Sequence, residues 1–234
     1  MSNEIILILT LVVVYSMVIL WYRLFGAKGL MCFSVLATIA ANIEVMIVIR
    51  AFGMEQTLGN ILFAATFLVT DILSETEGKE ASKKAVHIGI AASATFIVLS
   101  QSWLLYTPAE TDTVFPAVQT VFSGIPRVIF ASLLVYAVSQ RFDVWAYHKW
   151  WEFTTRRFGD RHRFLWLRNN GSTLLSQLLN TVLFTAGAFV GTYDWNTLVS
   201  IALSSYLIYI ATSLLDTPFV YWARHIHERM QKNR

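Results

Sequence analysis

The sequence predicts an all-α polytopic membrane bundle of seven spans, with its N-terminus outside and its C-terminus in the cytoplasm. Three observations carry this reading. Hydrophobic residues make up 56% of the chain and charged residues only 14%, where an average soluble domain is about one quarter charged. Seven stretches approach the roughly 20 apolar residues that a helix needs to cross a bilayer. The positive charges gather on alternate connections between those stretches, as the positive-inside rule requires.

The composition excludes disordered and fibrous classes. The single cysteine, Cys32, lies in an apolar run, so no disulfide framework or cysteine metal cluster is expected. A transmembrane barrel is excluded because runs such as Ile5 to Val14 do not alternate apolar and polar residues.

The expected spans are 4–22, 30–49, 57–74, 85–106, 116–139, 172–192 and 197–222, forming one transmembrane domain over 1–234. The first is a retained helix rather than a signal peptide, since Glu4 precedes it and Arg23 and Lys28 follow it. Further basic residues cluster in the 3–4 loop (Lys79, Lys83, Lys84), in the 5–6 loop, and in the C-terminal tail. Arg50 stands on the opposite side with Glu55, Glu110, Asp112 and Asp194. Six spans would put a basic loop on the wrong face. The 141–170 connection interleaves Trp145, Tyr147, Trp150, Trp151, Phe153 and Trp166 with cations, which fits an amphipathic segment on the cytoplasmic leaflet better than a nucleic-acid surface.

Ionisable and amide residues inside a span are costly and mark a substrate path by default. Span 2 holds Asn42 and Glu44. Span 3 carries Asp71 and Glu75 one turn apart, with Asn60 and Phe67 further up that face. Span 5 holds Arg127, then Gln140 and Asp143. Span 6 aligns Thr173, Gln177 and Asn180, and span 7 aligns Ser205, Tyr209, Thr212 and Asp216. The bland readings are headgroup-level charge for Glu75, Asp143 and Asp216, and interhelical hydrogen bonding for Gln177 and Asn180. Carboxylates, amides, an arginine and aromatic rings together suit a small, planar, hydrogen-bonding solute. No H-E-x-x-H, G-x-S-x-G or Walker lysine loop is present, so neither an enzyme nor a cofactor is expected. Gly187 and Gly191 have the spacing for close helix contact, which leaves a homo-oligomer open.

Three stretches carry a family likeness: Thr70–Gly89 with D-I-x-x-E-x-x-G, Pro126–Trp151 with A-S-x6-S-Q-x-x-D, and Arg168–Phe184 with S-T-x2-S-Q-x-x-N-T. In that order and spacing they resemble the queuosine precursor transporter family, also called VUT. The resemblance implies a bacterial inner (cytoplasmic) membrane importer of 7-deazaguanine bases: 7-cyano-7-deazaguanine, 7-aminomethyl-7-deazaguanine or queuine. It also implies a six-helix core like that of ECF S components, with one extra N-terminal helix, working by secondary or facilitative alternating access. The alternative is an S component that depends on a shared ATPase. Where the family usually has Asp, this chain has Asn180. On this reading Glu44, Asp71, Asp143 and Asp216 are candidates to take the base N–H groups, and Arg127, Gln140, Gln177 and Asn180 to serve its O6.

Overall fold

The computed structural model describes residues 2–123, 126–159 and 163–232, including every side chain among these except those of 126–129. Helix α1 (Asn3–Glu44) breaks at Gly26, whose φ of 60° and ψ of −147° are not helical. In a straight helix Trp21 and Phe33 would stand about 18 Å apart; their ring centroids are 5.8 Å apart. At the other end Asn3 Nδ2 donates to the Arg50 carbonyl and the Phe52 N–H donates to Glu4. The chain therefore folds back at Gly26 into a hairpin of two arms, 3–25 and 27–44. Gly29 lets the arms close, because a Cβ there would sit 2.4 Å from the Trp21 carbonyl oxygen.

A short antiparallel hairpin follows, β1 (Val48–Ala51) and β2 (Met54–Thr57), with Arg50 opposite Glu55. Phe52 and Gly53 both take positive φ, 53° and 74°, the combination that a two-residue type I′ turn demands. Span expectations 30–49 and 57–74 had absorbed these strands into helices.

The remaining helices are α2 (Asn60–Thr76), α3 (Lys79–Trp103), α4 (Phe115–Phe122), α5 (Pro126–Phe158), α6 (Leu165–Phe189) and α7 (Trp195–Lys232). Counting the arms of α1 separately and leaving aside the short α4, seven rods alternate in direction along the bundle. One end carries the β hairpin. The other carries the Gly26 turn, and there Tyr22 bonds His227 and Ser74 bonds Ser82. Helix α2 is the central rod: thirteen of its residues from Asn60 to Ser74 are buried, and it packs against α1, α3, α5 and α7. A helix buried on all sides can carry polar groups without presenting them to lipid.

By length and apolarity, α1, α3 and α7 qualify as membrane-crossing helices among the described residues. The molecule is a helical membrane protein. Expected span 116–139 divides into α4 and α5, with Pro126 opening α5, where its missing N–H costs nothing. Arg127 thus falls in the first turn of α5 rather than mid-span, and its side chain lies outside the described residues. Most of the 141–170 connection is helical, with α5 running on to Phe158 and α6 beginning at Leu165. At about 1.5 Å per residue α5 and α7 are roughly 50 and 57 Å long, so both outrun a hydrocarbon core of about 30 Å.

Candidate functional site

A cavity of about 350 Å³ opens at the hairpin end. Its wall draws on most of the bundle: Thr38 and Asn42 on the second arm of α1, Glu55, Gln56 and Thr57 on β2, and Asn60, Phe63 and Thr66 on α2. Ser93 comes from α3, Ser132 and Tyr136 from α5, Asn180, Thr181 and Phe184 from α6, and Ser205 and Tyr209 from α7. The lining alternates amides and hydroxyls with aromatic rings. Phe63 is the hub of the rings, with centroids 6.0 Å from Tyr136 and 6.2 Å from Tyr209.

Hydrogen bonds orient the amides. Asn60 Oδ1 accepts from the Tyr209 hydroxyl at 3.0 Å and from Thr57 at 3.3 Å. That fixes the amide so that Nδ2 is left over, buried and without a protein acceptor. Gln56 Nε2 and Thr181 Oγ1, also on the lining, are likewise unpaired. Asn42 Nδ2 is held by the Thr38 carbonyl at 2.8 Å and by Ser93 Oγ at 3.0 Å. A buried polar atom without a partner costs about 1–3 kcal/mol, so three on one lining mark a place where something else supplies the partner.

Below the floor a column of polar groups follows α2 toward the turn end. Gln140 Nε2 donates to Thr66 Oγ1 at 2.7 Å, and the Thr70 hydroxyl donates to Gln140 Oε1 at 3.3 Å. Next come Asp71, accepting from Thr173 at 2.9 Å, and Asp143, accepting from Ser176 at 2.7 Å. Asp216 accepts from Asn169 Nδ2 at 2.7 Å.

The column ends at Glu75. Arg168 Nε reaches Glu75 Oε2 at 3.0 Å and its second guanidinium nitrogen reaches Oε1 at 2.7 Å, a two-pronged pair. Tyr147 donates to Glu75 at 2.8 Å, and Arg224 stands 3.5 Å away. The Arg168 guanidinium also lies 4.4 Å over the Trp151 ring. Its side chain is 0% exposed and that of Glu75 3%.

The expected site residues thus fall into distinct groups. Asn42 and Asn180 line the cavity. Asp71, Glu75, Gln140, Asp143 and Asp216 form the column beneath it. Gln177, 1% exposed, lies one turn beyond Thr173 on α6 and is also off the lining. Phe67 is buried behind Phe63, with centroids 5.4 Å apart. Glu44, half-buried at the end of α1, touches neither cavity nor column. Glu75, Asp143 and Asp216 all have buried side chains. Sequence reasoning missed Gln56, Thr66 and Tyr136 on the lining and took Arg168 for a solvated loop cation.

The family model described as "Putative vitamin uptake transporter" matches residues 57–223, which leaves the α1 hairpin outside the match while its second arm supplies part of the cavity wall. A "Probable queuosine precursor transporter" of Bacillus subtilis (strain 168) is 39% identical over 210 residues, 90% of each chain. No solved structure matches. Both matches are to transporters rather than enzymes, and the motifs of α2, α5 and α6 fall inside both. The chain therefore belongs to the vitamin uptake transporter family.

Proposed function

We propose that the protein imports 7-deazaguanine precursors of queuosine across the bacterial inner membrane, binding the base in the cavity at the hairpin end. In this reading the seven rods are seven spans, the hairpin end faces outward, and the turn end, with its many cations, faces the cytoplasm. The carrying observation is the set of unpaired buried groups on an aromatic-lined cavity of small-ligand size. Asn60 Nδ2 and Gln56 Nε2 donate to the base acceptors O6 and N3, and Glu55 takes the N1–H and amino donors as a pair. Phe63, Tyr136 and Tyr209 supply the stacking surface.

The name of the 39%-identical relative supports the choice of cargo. Access alternates as the helices around α2 rock, opening the turn end when the hairpin end closes. The test is restoration of queuosine in the tRNA of an auxotroph given each precursor in turn. Restoration is expected with at least one precursor and is lost in Asn60→Leu. Failure with every precursor, while the protein is present in the membrane, would overturn the substrate. Uptake that disappears when a shared ATPase module is deleted would overturn the independent mechanism.

A further inference from the structure

The proposed cargo occupies the cavity, yet two fully buried carboxyl groups lie below it. Asp71 on α2 and Asp143 on α5 are both 0% exposed, and their carboxyl groups stand within hydrogen-bonding reach of each other. Each accepts one hydroxyl from α6. The leftover oxygens, Asp71 Oδ1 and Asp143 Oδ2, receive no hydrogen bond. Among the described residues neither carboxyl has an ion-pair partner, since Arg168 is engaged by Glu75. Two more buried oxygens without partners sit on the same turns: Ser139 Oγ, four residues before Asp143, and Gln177 Oε1, four residues after Thr173.

Two touching carboxylates cannot both be ionised in a low-dielectric interior; the stable form shares one proton. Between the pair and the cavity lies a run of buried polar groups, Thr66 on the lining, then Gln140, then Thr70, hydrogen-bonded to one another. These hydroxyls and the amide give the approach to the pair a polar lining that keeps a charge away from lipid.

We infer that the Asp71–Asp143 pair is a proton-binding coupling site, filled from the cavity side and emptied toward the turn end once per import cycle. The inference rests on the transport reading above. No bond of the base changes, and one positive charge crosses with each neutral base. The other ionisable groups near the pair are Asp216 on α7, Tyr15 on α1, Tyr147 on α5 and the Glu75–Arg168 ion pair. Lys83, Lys84 and His87 of α3 are exposed and do not face it.

Two measurements test the site. Infrared difference spectroscopy of the purified protein reads a protonated carboxyl directly and needs no cargo. One such band is expected at the pH of the transport assay, lost in Asp71→Asn and in Asp143→Asn, and displaced in Ser176→Ala, which keeps both carboxyls. In proteoliposomes loaded from outside with 7-cyano-7-deazaguanine, an acid-outside gradient should raise accumulation several-fold, a response that Asp71→Asn loses. Absence of the band in the unmodified protein overturns the site, as does accumulation driven by a sodium gradient instead. A band with the expected variant pattern, but no transport of any deazaguanine, supports the proton site and sinks the cargo.

Discussion

The two ends of the bundle solve the problem of buried polarity in opposite ways. At the hairpin end, Asn60, Gln56 and Thr181 leave atoms unpaired around an open volume. At the turn end, Glu75 collects Arg168, Tyr147 and Arg224, so one carboxylate ties α2 to α5, α6 and α7. The first arrangement is complete only with a ligand. In the second the Glu75 carboxylate finds its partners within the protein, and the cluster acts as a fastening. That contrast is in keeping with the alternating access proposed above.

Arg168→Met should break the fastening most severely. It strands Glu75 in the interior, and removing one member of a buried ion pair costs about 3–5 kcal/mol. We expect a large fall in Tm of the purified protein in detergent. The double variant Glu75→Gln/Arg168→Met should recover most of it, and equal Tm values for the single variant and the unmodified protein would refute the fastening. Gln56→Leu, at the opposite end, should weaken base binding by about 10- to 100-fold, the equivalent of one lost hydrogen bond. Titration calorimetry would check it, and Tm should barely move. If affinity held while stability fell, the assignment of the two ends would be reversed.

Gly89→Ala probes the wall between them. A Cβ there would lie 2.1 Å from the Tyr136 hydroxyl, so the ring must shift toward the cavity at an overpacking cost of about 1–3 kcal/mol. A several-fold loss of base affinity is expected, with partial recovery in Gly89→Ala/Tyr136→Phe.

The smallest effect is at Asp194, before α7. The Thr197 hydroxyl, with the Thr197 and Asn196 N–H groups, holds its carboxyl below the usual carboxylate range. Its contribution is present above the ordinary Asp value of about 3.9 and is lost as pH falls through the depressed one. Asp194→Ala should therefore lower Tm slightly at neutral pH, and the difference should vanish in acid.

Much of this contrast was legible in the residues. Polar positions at helical spacing on α2, α5, α6 and α7 turned out to share one interior, because a polar face in lipid is costly wherever it is not turned inward. Charge distribution along the chain also matched the two ends. Arg168 escaped for a physical reason: counting loop cations treats each as solvated, while this one sits four residues before Ser172 on a face that runs into the core. Its likeness to the upstream Arg127 segment, R…S-Q-x-x-[D/N], was the available signal. The β hairpin escaped because apolarity alone joined Val48 and Ile49 to the preceding helix. Phe52-Gly53 between two four-residue runs was the cue, and Gln56 and Glu55 of the cavity wall were lost with it. The spacing of Gly187 suited close helix contact, and a Cβ there would meet Ala131 of the same chain at 3.3 Å.

Gly26 closes the first hairpin over a single non-helical residue, and Gly29 presses the arms together just beyond it. Such a joint has no slack. Neither arm can slide along its neighbour without dragging the turn, and the far ends are pinned as well, by Asn3 on Arg50 and Glu4 on Phe52. The pair must travel as a single stiff plank. Any rocking of the bundle then has a natural stator on one flank, against which the helices that bear the column move.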